Sequence, residues 1–176
     1  MTNQQQCEAF WQARRSVILS TVDAQGRIET SVTPFIRDEL GNLYIFISEL
    51  AQHTQNILQL IHNRQMNSVA QNETGSGYQL SGLLVADESQ TEQLFARERV
   101  TLQLRPDEIK RESNQFADLL ARFEQLFGDV IPLLSSLPDF HLIQLNPVSG
   151  GYVKGFGQAF TFQGCPCDGL KPVERK

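Results

Sequence analysis

The segment between Ser16 and Ser48 leaves few choices of fold. Residues 16–22 form a run rich in β-branched residues, the composition of a strand. Asp23-Ala24-Gln25-Gly26 follows, in which aspartate opens a type I turn and glycine supplies the left-handed position that closes it. Residues 28–35 read as a second strand, the same turn chemistry returns at Asp38-Glu39-Leu40-Gly41, and residues 42–48 read as a third strand. Three strands joined by two tight turns make an antiparallel meander, which closes to protect its edges.

The rest of the chain is consistent with such a barrel. Residues 8–15 read as a short amphipathic start with Phe10 and Trp11 available to pack. Leu50, Thr54, Ile57, Leu58 and Ile61 fall at helical spacing behind Ser48 as a cap. A strand is predicted at 66–71, a glycine-containing turn at 72–77 and a strand at 78–86. Asp87 with Gln90 has the form of a capping box, predicting a helix that runs towards Arg99. Residues 100–104 alternate as a strand before Arg105-Pro106. The apolar stripe Phe116, Leu119, Leu120, Phe123, Leu126 and Phe127 predicts a helix ended by Gly128. Short strands at 140–145, 151–154 and 158–162 complete the set. About nine strands with segregated helices give an α+β, mainly β, antiparallel closed or split barrel with flanking helices. One domain over 1–176 is expected, its core at about 14–163 and a loose tail at 164–176.

Composition narrows the function classes. Hydrophobic residues make up 40% and charged residues 20%, as in a folded, soluble protein. A net charge of −5 argues against nucleic acid or anionic lipid as partner. No apolar run approaches the roughly 20 residues that cross a bilayer, and the polar start has no secretory pattern, so the expected address is cytoplasmic. The three cysteines, Cys7, Cys165 and Cys167, read as thiols of a reducing compartment, and Cys165-Pro166-Cys167 lacks the further ligands zinc needs. No nucleophile, base and orienting group stand at the spacing of a hydrolase.

Three segments carry a family resemblance: Thr21-Val22-Asp23-Ala24-Gln25-Gly26-Arg27, Leu94-Phe95-Ala96-Arg97 and Val153-Lys154-Gly155-Phe156-Gly157-Gln158-Ala159-Phe160. With Ser48-Glu49-Leu50-Ala51-Gln52-His53-Thr54-Gln55-Asn56 they resemble the HugZ-like, haem-utilisation branch of the pyridoxamine-phosphate-oxidase-like split barrels, from about residue 14 to 162. The resemblance implies a homodimer with equivalent cofactor sites at the subunit interface. Relatives hold flavin mononucleotide (FMN) or, in this branch, haem that is oxidatively degraded.

Residue by residue, the resemblance pairs His53 with Asp139 across the dimer, the carboxylate fixing the imidazole tautomer. Lys154, Gly155, Phe156 and Gly157, with Arg97 and Arg99, are the cofactor-binding candidates, their cations suited to haem propionates or a flavin phosphate. The family's iron ligand is a histidine in the C-terminal tail. Residues 164–176 contain none, which leaves a Cys165 thiolate as the substitute; His62 and His141 read as structural or surface residues. For flavin, the matching stretches offer the hydroxyls of Ser31, Thr33, Ser48 and Thr54 but no lysine or arginine, and Glu49 opposes a phosphate. Haem is therefore the first expectation. An FMN-binding oxidoreductase and a non-catalytic haem storage or delivery protein are the alternatives.

Overall fold

The computed structural model describes residues 1–67 and 79–174. Helix α1 (Asn3–Ala13) starts earlier than the pattern predicts because Thr2 and Gln5 form a reciprocal capping box. Gln5 N–H donates to Thr2 Oγ1 at 3.2 Å, and Thr2 N–H donates to Gln5 Oε1 at 2.8 Å. The helix buries Cys7, Phe10 and Trp11, one face at helical spacing.

The predicted meander is present as β1 (Ser16–Val22), β2 (Ile28–Pro34), β3 (Ile36–Arg37) and β4 (Leu43–Ser48). Its turns use the expected chemistry. Asp23 Oδ1 accepts from the N–H groups of Gln25 and Arg27, Asp38 Oδ1 accepts from those of Leu40 and Asn42, and Gly26 and Gly41 both have positive φ. Helix α2 (Gln52–Asn67) follows, so Met66 and Asn67 end a helix rather than start a strand; the remainder of the 66–71 prediction and the 72–77 turn lie outside the described residues.

Strand β5 (Leu80–Val85) is followed by two short 3-10 turns, Glu88–Gln90 and Leu94–Ala96, where a single helix was predicted. Asp87 caps nothing with its side chain. The cause is the ladder: Val85 pairs with Arg99, so the chain must return to its starting point. A helix filling that connection would carry it roughly 18 Å away. Strand β6 (Arg99–Ile109) runs on through Pro106. Its pairing with β5 spans only Arg99 to Gln103, so the proline lies where one edge of β6 has no partner strand among the described residues.

Helix α3 (Asn114–Phe127) is capped by Ser113, whose Oγ accepts from Phe116 N–H at 3.1 Å, and stopped by Gly128 at φ 80°. Helix α4 (Val130–Ser135) leads to β7 (Phe140–Gly155), one long strand in place of the two predicted, then to β8 (Gln158–Gln163) and β9 (Lys171–Pro172).

The hydrogen-bonded path runs β2-β1-β5-β6-β7-β4-β3, with β8 on β7 and β9 on β8, all antiparallel. Strand β6 lines one edge of β7 along almost its whole length. The other edge is therefore shared, by β4 against Phe140–Leu145 and by β8 from Ser149 onward. A register shift between Gln103 and Leu104 sits at this handover. The sheet does not close, since β2 and β3 at its two ends form no ladder with each other among the described residues. The outermost strands of the path, β2 and β3, are consecutive in the chain through Phe35, whose N–H donates to Arg15 O at 3.1 Å.

One core fills the barrel, with Leu19, Ile45, Leu80, Leu102, Ile143 and Tyr152 among its members. A second lies outside it, where Phe116, Leu119 and Phe123 of α3 cover Tyr44, Phe46, Ile109 and Leu142. Each fully buried side chain of this kind contributes about 1.5–3 kcal/mol.

Two expectations are corrected at the C-terminus. Cys7 and Cys167 are disulfide-bonded, leaving Cys165 as the free cysteine. The tail is tied down by that bond, by β9 on β8, and by Leu170 packed on the core. The pairing joins residues 160 positions apart, and it forms because the buried face of α1 meets the turn after β8.

Candidate functional site

Strand β4 ends beside the start of β7, and this corner gathers several polar groups. Ser48 Oγ donates to Asp139 Oδ2 at 2.6 Å and accepts from Leu50 N–H, while Glu49 N–H donates to Asp139 O at 2.9 Å. Helix α2 starts only at Gln52, so Ser48 does not cap it as expected; it tightens the intervening turn through Leu50 and fixes Asp139.

On the same corner His141 is clamped by two carboxylates. Its Nδ1 lies 2.6 Å from Glu108 Oε1 and its Nε2 lies 2.5 Å from Glu49 Oε1. Burial pulls the imidazole pKa down, but the hydrogen bonds and charges of Glu108 and Glu49 outweigh it and hold the pKa above its ordinary 6.5. A raised histidine pKa adds stability that is complete below the ordinary value and lost as pH rises through the raised one. The melting temperature of His141→Gln should therefore fall furthest below wild type at acidic pH, with the gap closing in alkali. A gap constant across that range would show that the fold leaves the imidazole pKa at its ordinary value. Sequence reading treated His141 as bland, because its carboxylates come from the ends of β4 and β6.

His53 stands in the first turn of α2, half-buried. Burial lowers its pKa, against a smaller pull upward from Glu29 of β2. Within one protomer no hydrogen bond joins it to Asp139 among the described residues, although α2 leaves the same corner at which Asp139 is held.

The other predicted cluster lies at the β7–β8 hairpin. Gly155 pairs with Gln158, Gly157 takes φ 66°, and Phe156 at the tip is 66% exposed. Lys154 Nζ lies 3.5 Å from the Asn3 side-chain oxygen. Arg99 pairs with Val153 across the ladder, and the Leu94–Ala96 turn packs against β7 with Phe95 88% exposed. Arg97 is committed internally, donating to Ala86 O at 2.6 Å and pairing with Glu88 at 2.9 Å. Arg99 donates to Arg97 O, and neither it nor Lys154 has an acid partner among the described residues. Exposed Phe95 and Phe156, with two cations that have no acid partner among the described residues, are the group types a flat apolar body carrying anionic groups needs. The ladder nevertheless starts Arg99, level with Val153, and Lys154 from opposite faces of the sheet.

The hydroxyls considered for a flavin phosphate are withdrawn from a ligand. Thr54 is 0% exposed, Thr33 is buried and donates to Pro34 O, and Ser48 is spent on Asp139. Ser31 Oγ is buried without a hydrogen-bond partner among the described residues, as is Thr54 Oγ1. Cys165 lies beyond the far end of β8 from the hairpin, against the Gly41 turn. Burial, with Asp168, Asp38 and Glu8 adding to it, pushes its thiol pKa up, which disfavours the thiolate that iron ligation needs. No group of three or more His, Cys, Asp and Glu suited to a metal occurs among the described residues.

A barrel split along one long strand, with helices outside it, is the architecture of the pyridoxamine-phosphate-oxidase-like class. A relative of general stress protein 26 from Clostridium acetobutylicum, of the pyridoxinephosphate oxidase family, shares the fold with a TM-score of 0.58 at 12% identity, over 91% of this chain and 93% of that one. No protein-family model matches the chain. Over 155 residues, 88% of its length, the chain is 36% identical to heme oxygenase HutZ of Vibrio cholerae serotype O1, of which it covers 78%. The crystal structure of Vibrio cholerae HutZ, there described as a heme storage protein, matches with a TM-score of 0.68 at 29% identity over 93% of this chain and 96% of that one. Campylobacter jejuni ChuZ matches with a TM-score of 0.76 at 26% identity over 97% of this chain and 61% of ChuZ. The chain belongs to the HugZ-like, haem-utilisation branch of these split barrels.

Proposed function

We propose that this protein binds haem in a crevice between two copies of the chain and opens the ring oxidatively to release iron. The observation that carries the reading is the 36% identity to a protein named heme oxygenase, with Phe156 exposed at the tip of the β7–β8 hairpin in support. Arg99 and Lys154 hold the propionates, and Phe95 and Phe156 cover apolar ring surface. Bound haem supplies the iron and the oxygen chemistry. His53 of one copy meets Asp139 of the other, and the carboxylate accepts the ring N–H and fixes the tautomer. Ser48 keeps Asp139 oriented for that contact.

The exposed apolar side chains Ile28 and Val32, on the face of β2 turned away from the core, and Leu50 at the β4–α2 corner support a homodimer, as apolar surface that one protomer leaves open. Burial of the β2 and α2 hydroxyls favours haem over flavin. No described helix is long and apolar enough to cross a membrane. A cytoplasmic address completes the reading, with both sulfurs of the Cys7–Cys167 bond buried away from small reductants.

Hemin titration is the test. A saturable Soret shift is expected, followed by loss of the band and iron release on adding ascorbate in air. A Soret band that persists replaces degradation by storage, and no saturable shift overturns haem binding altogether. A yellow preparation with flavin absorbance supports the FMN reading instead. His53→Ala should slow ring opening by roughly tenfold or more while changing hemin affinity little.

A further inference from the structure

A cleft of about 420 Å³ opens between the α1–β1 junction, the β2–β3 bend and α3. It is lined by Arg15, Arg37, Arg122 and Gln125 over an apolar wall of Phe35 and Leu126. None of these residues belongs to the His53 corner or to the β7–β8 hairpin. We propose that this cleft is a separate binding site for a small organic anion, one carrying a phosphate or carboxylate head on an apolar body.

Three guanidinium groups share the cleft, and none has an acid partner among the described residues, whereas Arg14, Arg27, Arg64, Arg97 and Arg105 all do. A nearby carboxylate is already used: Asp38 accepts from the N–H groups of Leu40 and Asn42, from the Asn42 amide and from Tyr44 OH. In a chain of net charge −5, three like charges gather here and repel one another, with no ion pair to any of them among the described residues. Burial and the Arg15 charge pull the Arg37 pKa below its ordinary value, in keeping with that repulsion.

The groups are also held in place. Arg37 Nη1 donates to Trp11 O at 2.8 Å and to Arg14 O at 3.2 Å, and its Nη2 donates to Gln12 O. Arg15 Nη1 donates to Gln12 O at 2.9 Å, and Arg122 Nη2 donates to Arg37 O. Capping the last carbonyls of α1 gives Arg37 and Arg15 a structural role. It does not explain why Arg122 of α3 joins them. Each guanidinium has five donors, and those left over form forks that match the oxygens of a phosphate or carboxylate. The Arg37 guanidinium lies 5.9 Å from the Phe35 ring centroid, so the apolar wall borders the cationic one. The volume lies in the range of small-molecule sites.

The test is an amide NMR titration of the full chain with pyrophosphate and, separately, citrate, at constant ionic strength against chloride. Saturable shifts at Phe35, Arg37 and Gln125 are expected with at least one of the two, and the stronger arm assigns the head group. Arg122→Gln and Arg15→Gln should each weaken that binding by roughly tenfold, leaving the hemin titration unchanged. Arg37→Gln is avoided, since its bonds secure α1. Absence of saturable shifts with both anions, or binding that survives both arginine changes, overturns the site. Neither result bears on the haem reading, because the hemin titration is read separately.

Discussion

Cys7→Ala is expected to lower the stability of the oxidised protein by about 5 kcal/mol, from loop-closure entropy across nearly the whole chain. The bond joins positions 160 residues apart in a chain of 176, so its loss returns a very large loop to the unfolded ensemble. At about 2–4 °C per kcal/mol for a domain of this size, the melting temperature should fall by roughly 10 °C or more. Thermal melts of wild type with and without reductant, of Cys7→Ala, and of Cys7→Ala with Cys167→Ala measure this. The double change should add almost nothing to the single one, and reduced wild type should resemble both. If Cys7→Ala melts with the oxidised wild type, the bond contributes nothing. The bond also anchors α1, whose last carbonyls hold Arg37 and whose Asn3 meets Lys154, so its loss should loosen both the arginine cleft and the hairpin.

Gly150→Ala is the second large effect. A Cβ there would lie 2.3 Å from Thr101 O and 2.4 Å from Phe162 Cζ. The carbonyl belongs to β6, and the ring belongs to the strand residue paired with Gly150, buried in the barrel core. Neither can move without opening the ladder at the point where β4 gives way to β8. A cost of at least about 3 kcal/mol is expected, the upper end for overpacking. Gly155→Ala is the control, since a Cβ there meets nothing within 4 Å, and it should stay within about 1 kcal/mol of wild type. Urea unfolding of the two variants should separate their midpoints clearly, and coincident midpoints would contradict the close approach at Gly150.

How much of this was legible depended on whether the deciding partner was local. The meander can be read because each turn carries its own aspartate and glycine, and α3 because its stripe and Gly128 lie within one segment. Strand β7 reads as two because Asn146-Pro147-Val148-Ser149-Gly150 has the composition of a loop. In the structure a register shift accommodates Pro147 and Val148, and Gly150 makes room for Phe162. The capping-box pattern at Asp87 was overridden by the pairing of Val85 with Arg99, which no local signal announces. The Cys7–Cys167 bond was hidden by its length.

At the β7–β8 hairpin, Gly155 and Gly157 mark the bend locally, whereas a cofactor role for Lys154 follows only from the family resemblance. Arg97 instead proved to be tied to Glu88 and Ala86. Thr54 sits at helical spacing with Ile57 and Ile61 and is buried with them, so a hydroxyl chosen for its chemistry points to the wrong side. The His141 clamp and the arginine cleft each draw on three separate elements and leave no trace in sequence order.

The bend at Phe35 has a dynamic consequence. Strands β2 and β3 lie at opposite extremes of the hydrogen-bonded path yet form one uninterrupted length of backbone, hinged at a buried aromatic ring. Peeling either margin away drags on the other, so the shell cannot unzip one side at a time. Amide hydrogens in β2 and β3 should then exchange with solvent in concert, through a shared and costlier opening than a loose border strand would allow.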